Sequence, residues 1–194
     1  MPQPRNTVNP FLTDDPSKTR MTLFRSLRLV LILTMASLTM ASVGTADAAT
    51  QAGPVTGLPM PRFVSLKSDR VNLHEGPAKD HRTVWIYQRA GLPVEITAEF
   101  DTWRKIRDSE GTEGWVLHSL LSGRRTALVV QKGSTAVLHA KPAEDAGVVA
   151  KLQNGVIGSV KTCSRNWCRL IGDGYDGWIE QTRIWGSYPG EVVE

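Results

Sequence analysis

The chain has 194 residues, of which 41% are hydrophobic and 22% are charged, a composition typical of a folded protein rather than a disordered one. Its length allows one ordinary domain or two small ones. Basic side chains exceed acidic ones by four, and beyond residue 48 by only two, because residues 1–48 hold five basic and three acidic residues. So small a surplus argues against binding to the phosphate backbone of nucleic acids, which requires clustered Lys and Arg.

The N-terminal region has the features of an export signal. Arg25 and Arg28 precede an apolar run over 29–43, and the Ala-Asp-Ala sequence ending at Ala48 supplies the small residues that signal peptidase requires. An uncleaved anchor is the less favoured alternative, because the run contains hydroxyl residues and is shorter than the about 20 apolar residues of a spanning helix. We expect cleavage after Ala48 and a periplasmic or secreted protein, which meets the membrane only before cleavage.

Residues 1–20 are polar and contain four prolines, which makes a long preface for a signal peptide. We therefore hypothesise that translation starts at Met21. On either view, residues 1–48 form an N-terminal extension and signal peptide.

Cys163 and Cys168 are the only cysteines. An exported chain meets an oxidising compartment, where an even number of cysteines favours a disulfide. The segment reads as two strands around the four-residue loop 164–167, so the cysteines would face each other within disulfide range. We expect a structural disulfide that contributes about 2 kcal/mol. A redox pair and a two-ligand metal site are less favoured, because the spacing is not Cys-x-x-Cys and no His lies nearby.

Beyond the leader, the sequence repeats itself once. The matching segments are 73–77 with 138–142, 100–103 with 164–167, and 114–116 with 177–179. Short runs rich in β-forming residues, separated by Gly or Pro turns, predict strands of about five residues. The strand candidates are 70–73, 82–87, 94–98, 103–107 and 115–117, then 136–139, 148–152, 156–160, 168–171 and 177–179. No window keeps a helical period, so we predict an all-β fold with domains at 61–123 and 128–186 and a tail at 187–194.

The order of these motifs resembles the bacterial SH3-like (SH3b) domain. The motifs in the first unit are Val71-x-Leu73-x-x-Gly76-Pro77, a turn at Gly91, Trp103-x-x-Ile106 and Gly114-Trp115-Val116. The second unit repeats this order but lacks the glycine before Pro142. The resemblance covers about 61–186 and implies two tandem, five-stranded SH3-like small β-barrels. It also implies a non-catalytic binding role, often toward cell-wall peptide or another envelope component.

One difference between the units gives a testable prediction. When the segments 100–103 and 164–167 are aligned, Cys163 and Cys168 stand where the first unit has Glu99 and Arg104. We expect an opposed, exposed ion pair in the first unit at the place of the disulfide, worth about 0.2–1 kcal/mol.

Aromatic residues supply the candidate ligand-binding site. Trp85 and Tyr87 point to the same side of a strand, and in the same alignment the second unit has Val149 and Lys151 instead. We interpret this aromatic pair as part of a ligand groove or of a surface between the domains. Trp103 and Trp115 recur in the second unit as Trp167 and Trp178, so they are either core or a shared groove wall. The predicted ligand-binding residues are Trp85, Tyr87, Trp103 and Trp115.

Nothing in the sequence predicts catalysis. His74 and His139 occupy equivalent positions in the repeat, which the fold explains better than a reaction does. Glu110 and Glu113 lie in a Gly-bearing turn, where a carboxyl group is rarely buried enough to act as a general acid. No catalytic or phosphate-binding motif is present.

We expect a protein with no catalytic residue, metal or cofactor that binds cell-wall peptide, peptidoglycan or an envelope protein. The alternatives are a periplasmic interaction module, scaffold or inhibitor and, less favoured, a wall hydrolase.

Overall fold

A computed structural model describes residues 50–131, 133 and 135–194. The predicted signal peptide, its cleavage site after Ala48 and the hypothetical start at Met21 lie outside the described residues. In the part of the chain that is described, no helix is long and apolar enough to cross a membrane.

The described residues form two seven-stranded antiparallel sheets in succession, preceded by a short two-stranded ribbon. The ribbon and the first sheet consist of β1 (Gln51–Ala52), β2 (Pro59–Met60), β3 (Arg62–Leu66), β4 (Val71–His74), β5 (Thr83–Tyr87), β6 (Pro93–Phe100), β7 (Trp103–Arg107), β8 (Glu113–Leu117), a 3₁₀ turn (His118–Leu120) and β9 (Leu121–Ser122). The second sheet consists of β10 (Thr126–Val129), β11 (Ala136–His139), β12 (Val148–Leu152), β13 (Ile157–Ser164), β14 (Trp167–Gly172), β15 (Tyr175–Glu180), a 3₁₀ turn (Gln181–Arg183) and β16 (Ile184–Trp185).

The two sheets have the same strand order. The first runs β5-β4-β8-β7-β6-β3-β9 and the second β12-β11-β15-β14-β13-β10-β16. Even the irregularities recur, because the register shifts between Leu73 and His74 in one sheet and between Leu138 and His139 in the other. The predicted all-β fold with two tandem SH3-like barrels is therefore confirmed, although each sheet has seven strands rather than the implied five. The additional strands are β3 and β10 at the start of the barrels and the two-residue strands β9 and β16 at their ends.

Each barrel encloses its own apolar core, built from side chains that alternate along the strands. The first core includes Val71, Leu73, Ile106 and Val116, all 0% exposed. The second core places Ala136, Leu138, Leu170 and Ile179 at the corresponding strand positions, also 0% exposed.

The hairpin that carries the cysteines turns more tightly than the sequence suggests. Ser164 pairs with Trp167, so the turn consists of two residues rather than four. Arg165 and Asn166 both adopt positive φ angles, of 51° and 66°, as a type I′ turn requires. Cys163 and Cys168 are directly opposed across the ladder as a result.

The two barrels contact each other through β10, β16 and the C-terminal tail. Thr126 Oγ1 donates a hydrogen bond to the carbonyl oxygen of Gly91 at 2.8 Å. The Phe63 ring packs edge-on against Trp185 with a centroid distance of 5.0 Å and also contacts Tyr188 at 4.7 Å. The Tyr188 hydroxyl donates to Glu95 Oε1 at 2.7 Å. The tail at 187–194 is thus bound to the first barrel as well as to the second.

Candidate functional site

A groove of about 510 Å³ lies between the barrels and takes its lining from both. The first barrel contributes Trp85, Tyr87, Arg89, Leu92, Asp108, Ser109, Glu110 and Thr112, and the second contributes Leu128, Val130, Asn154 and Gly155. Arg89 Nη1 donates a hydrogen bond to the carbonyl oxygen of Gly155 at 2.6 Å, which ties the two walls together. The groove combines apolar side chains with a few polar groups, as binding sites for small ligands do.

Trp85 and Tyr87 both line this groove, but they differ in exposure. Trp85 is 55% exposed, whereas Tyr87 is 5% exposed. Strand register places Tyr87 at a core position. Tyr87 lies opposite Val71 as Leu152 lies opposite Ala136, and Leu152 belongs to the second core.

The repeat is therefore displaced by one position at this strand, and the predicted alignment with Val149 and Lys151 is wrong. Trp85 corresponds to Ala150, since the two lie opposite Leu73 and Leu138 respectively. Tyr87 thus occupies a core position that both barrels share, and only Trp85 distinguishes the first barrel.

The buried Tyr87 hydroxyl is bonded to a carboxylate that the sequence analysis missed. It donates to Asp108 Oδ2 at 3.0 Å, while Asp108 Oδ1 accepts the backbone N–H groups of Glu110 and Thr112 at 2.9 and 2.8 Å. Burial and the neighbouring Asp108 charge raise the pKa of Tyr87 above its ordinary range, so the phenol remains a hydrogen-bond donor. An Asp at the start of a Gly-containing turn is the sequence signal that could have identified this contact.

The structure does not place Trp103 and Trp115 in the groove. Trp103 is 6% exposed and lines a separate cavity of about 370 Å³ in the first barrel. Its indole meets the His74 ring edge-on at a centroid distance of 5.3 Å. Trp115 is half-buried on β8, in register with Lys105 and His74. The four predicted residues therefore belong to more than one place on the barrel.

The second barrel contains an equivalent cavity of about 230 Å³. His139 and Trp167 line it and form the same edge-on contact at 5.5 Å. The histidines also share a backbone contact, because His74 Nδ1 lies 2.9 Å from the His81 carbonyl oxygen and His139 Nδ1 lies 3.0 Å from that of Ala146. A carbonyl oxygen only accepts, so Nδ1 donates in both rings. The repeat of the two histidines thus reflects a structural role in the loop that follows.

Comparison with known families identifies the barrels. The bacterial SH3 domain family matches residues 67–123 and 132–186, more than half of the chain. The chain belongs to the bacterial SH3 domain family. Membership of this family indicates a binding module and confirms the resemblance that the doubled motifs suggested.

Solved structures offer only distant similarity to this SH3 protein. NlpC2 and NlpC1 from Trichomonas vaginalis are each 13% identical with a TM-score of 0.30, covering 64% and 70% of this chain and 48% of their own. An NlpC/P60 family protein from Bacillus cereus is 13% identical with a TM-score of 0.29, covering 66% of this chain and 57% of its own. The chain spans about half the length of these structures. No curated protein matches the sequence.

The predicted ion pair is present in the first SH3 domain. Arg104 Nε lies 3.5 Å from Glu99 Oε1, and the two residues are opposed on the hairpin as the cysteines are on theirs. The expectation that the pair is exposed is wrong, because the Glu99 and Arg104 side chains are 0% and 7% exposed. The segment around Val55 and Thr56 covers the pair, since Glu99 also accepts hydrogen bonds from the backbone N–H groups of these two residues at 3.1 and 2.9 Å.

These bonds control the charge of Glu99. Burial alone raises the pKa of the carboxyl, but hydrogen bonds from Thr56, Arg62 and the backbone of Val55 outweigh it and lower the pKa to about 2. The Thr56 hydroxyl and Arg62 Nη2 lie at 2.7 and 2.8 Å. The ionised Glu99 carboxylate thus holds the segment that contains Val55 and Thr56 against the first domain.

The second SH3 domain carries the predicted disulfide. Cys163 and Cys168 are bonded to each other, and both are 0% exposed. Cys163 also exchanges two backbone hydrogen bonds with Val193 of the tail, at 2.8 and 3.1 Å. In each domain this hairpin therefore binds one terminal segment of the described chain. Across residues 50–131, 133 and 135–194, no three His, Cys, Asp or Glu side chains form a group that could hold a metal ion.

Proposed function

We propose that the chain is an exported, non-catalytic binding protein that recognises a cell-wall peptide or another envelope component in the groove between its SH3 domains. The observation that carries the proposal is the exposed indole of Trp85 in a groove lined by both domains. An exposed Trp at such a place costs solubility unless it has a partner, and Trp is enriched where proteins bind. The leader-like N-terminal sequence supports the location outside the cytoplasm.

The lining of the groove suits a peptide better than a purely apolar molecule. Leu92, Leu128 and Val130 give an apolar surface beside Trp85. Exposed Glu110 and Asn154 add an acidic group and an amide that can pair with backbone or amine groups of a peptide. A mixed lining of this kind orients a ligand through a few polar contacts while the aromatic face supplies contact area.

The state of the reactive groups supports a binding role without chemistry. Both cysteines are bonded to each other, so neither supplies a thiolate nucleophile. In the groove, Asp108 accepts three hydrogen bonds from within the barrel, from the Tyr87 hydroxyl and two backbone N–H groups. A carboxylate so engaged supports the turn rather than acting as a free base.

Retention on purified peptidoglycan tests the proposal. Trp85→Ala installs the residue that the second domain has at this position, Ala150, so the fold tolerates it, and we expect retention to fall at least tenfold. Val149→Ala is the matched control, because Val149 is 48% exposed on the corresponding strand of the second domain. Equal retention of Trp85→Ala and wild-type protein would exclude the groove as the site.

A second candidate function is an interaction module for another periplasmic protein. β5 is an edge strand of its sheet, and Val84 and Ile86 are 36% and 37% exposed on it. Such an edge can pair with a strand of a partner. Ile86→Lys distinguishes the two functions, because Ile86 points to the opposite side of β5 from Trp85. Loss of peptidoglycan retention in Trp85→Ala alone favours the groove. Loss of a co-purifying protein in Ile86→Lys, with peptidoglycan retention unchanged in both variants, favours the module.

A further inference from the structure

Each SH3 domain contains an equivalent cavity, and the net charge of the side chains that line it has opposite sign in the two domains. In the first domain the cavity beside His74 and Trp103 is lined by Arg70, Asn72, Lys79 and Leu117. The corresponding cavity in the second domain is lined by Val137, Glu144, Glu180 and Arg183, beside His139 and Trp167. The shared His–Trp wall makes the remaining positions directly comparable.

The loop after each histidine holds Lys79 and Glu144 at equivalent places. In the first domain, the Glu75 N–H donates to the Arg82 carbonyl oxygen at 2.9 Å, and in the second, the Ala140 N–H donates to that of Gly147 at 2.8 Å. The His Nδ1 contact closes both loops one residue earlier. Because the two loops are equally long and are closed by the same contacts, Glu144 stands where Lys79 stands.

On the strand that pairs with the Trp strand, the second domain again has an acidic side chain where the first has none. Trp103 lies opposite Leu117 as Trp167 lies opposite Glu180. The second cavity therefore gains two carboxylates. Its one arginine pairs with one of these carboxylates, since Arg183 Nε lies 3.0 Å from Glu180 Oε2, so the charged side chains of the lining retain a net negative charge.

The first cavity has cations with no counter-ion. Arg70 and Lys79 are exposed and form no ion pair with any of the described residues, and no acidic side chain lines the cavity. The same cavity is also lined by Leu117, Leu120 and the indole of Trp103. A lining that combines two cations with apolar side chains matches a ligand that has a carboxylate at one end and a small apolar body at the other.

We propose that the cavity of the first SH3 domain, beside His74 and Trp103, binds a carboxylate carried on a small apolar body, and that the second domain does not. The carboxylate is the terminus of a peptide or the acid group of a sugar, which share this chemistry. The site is separate from the groove of Trp85, so it adds a second contact to the proposed function without depending on it.

Nuclear magnetic resonance tests the inference on protein purified from cells that express the full chain. The indole N–H signals of Trp103 and Trp167, assigned with Trp103→Phe and Trp167→Phe, report on the two cavities. The probes are acetyl-dialanine against its C-terminal amide, and N-acetylmuramic acid against N-acetylglucosamine. We expect one acid to shift the Trp103 signal, its neutral counterpart to bind at least fivefold more weakly, and Trp167 to remain unchanged. The acid that shifts the Trp103 signal identifies whether the carboxylate comes from a peptide or from a sugar.

Paired variants separate the charge effect from loss of fold. Arg70→Ala with Lys79→Ala should weaken binding about tenfold, since each partly exposed charge pair contributes modestly to affinity. Lys151→Ala with Lys161→Ala removes the same charge from exposed positions of the second domain and should leave binding unchanged. Equal binding of acid and amide, no shift of Trp103, or equal loss in both double variants would overturn the inference. Trp85→Ala should bind the carboxylate normally, so failure of the groove and failure of this cavity are distinguishable.

Discussion

Replacing Glu99 by Gln should destabilise the first SH3 domain in a pH-dependent way. The substitution keeps the size of the side chain but removes the charge that Arg62 and Arg104 share. The pKa of Glu99 falls from 4.5 to about 2 on folding, and each pKa unit corresponds to about 1.4 kcal/mol. The ionised carboxylate therefore contributes about 3 kcal/mol to the free energy of unfolding at neutral pH.

The sign of the pH dependence follows from the lowered pKa. The stabilisation is complete above pH 4.5, where the unfolded carboxyl is also ionised, and it is lost as the pH falls toward 2. Urea unfolding followed by Trp fluorescence should give a difference of about 3 kcal/mol between wild type and Glu99→Gln at pH 7. That difference should shrink to below about 1 kcal/mol near pH 2.

A control and a local probe make the prediction specific. Glu113→Gln removes a carboxylate that pairs with Lys105 at 2.6 Å on the surface, so it should cost less than about 1 kcal/mol at every pH. The amides of Val55 and Thr56 donate to Glu99 and should exchange faster with solvent in Glu99→Gln. The reasoning is refuted if Glu99→Gln behaves like Glu113→Gln, or if its cost does not change between pH 7 and pH 2.

Three further predictions concern the second SH3 domain and the tyrosines. Cys163→Ser with Cys168→Ser should lower the free energy of unfolding by about 2 kcal/mol in urea melts; no change would mean that the hairpin needs no covalent link. Tyr188→Phe removes the hydroxyl bonded to Glu95 and should cost about 2 kcal/mol, whereas a cost near zero would show that the tail does not bind the first domain in solution. The pKa values of Tyr87, Tyr175 and Tyr188 are all raised, by burial first, so phenolate absorbance near pH 10 should be lower in native protein than after unfolding. Native titration near pH 10 would contradict the burial, and stability should fall above that pH because only the unfolded state ionises.

The sequence predicts the local features of the barrels well. β7, β11 and β12 have the predicted bounds, because alternation of β-forming residues between Gly and Pro turns is a short-range signal. The opposed pairs Cys163–Cys168 and Glu99–Arg104 also follow from hairpin geometry. Strands β3 and β10 escape prediction, since each pairs with a strand, β6 or β13, that follows only after two intervening strands.

What the sequence fails to predict depends on distant segments. The prediction that Glu99 is exposed is wrong because Val55, Thr56 and Arg62, which cover it, lie 37 to 44 residues earlier in the sequence. The alignment of Tyr87 with Lys151 is wrong because the repeat is displaced by one position at this strand, and such a shift exchanges the two sides of a strand. The groove itself needs both domains in place, so the sequence suggested only Trp85 and Tyr87 of its lining residues.

The position of Tyr188 has a consequence for the order in which the molecule assembles. Its bond to Glu95 joins residues 93 positions apart, so the contact forms only after synthesis has passed residue 188. Until then, Arg107 Nε, at 2.8 Å, keeps Glu95 paired within the first domain. The first domain can therefore fold before Tyr188 is available, and the Tyr188–Glu95 bond then fixes the two domains to each other.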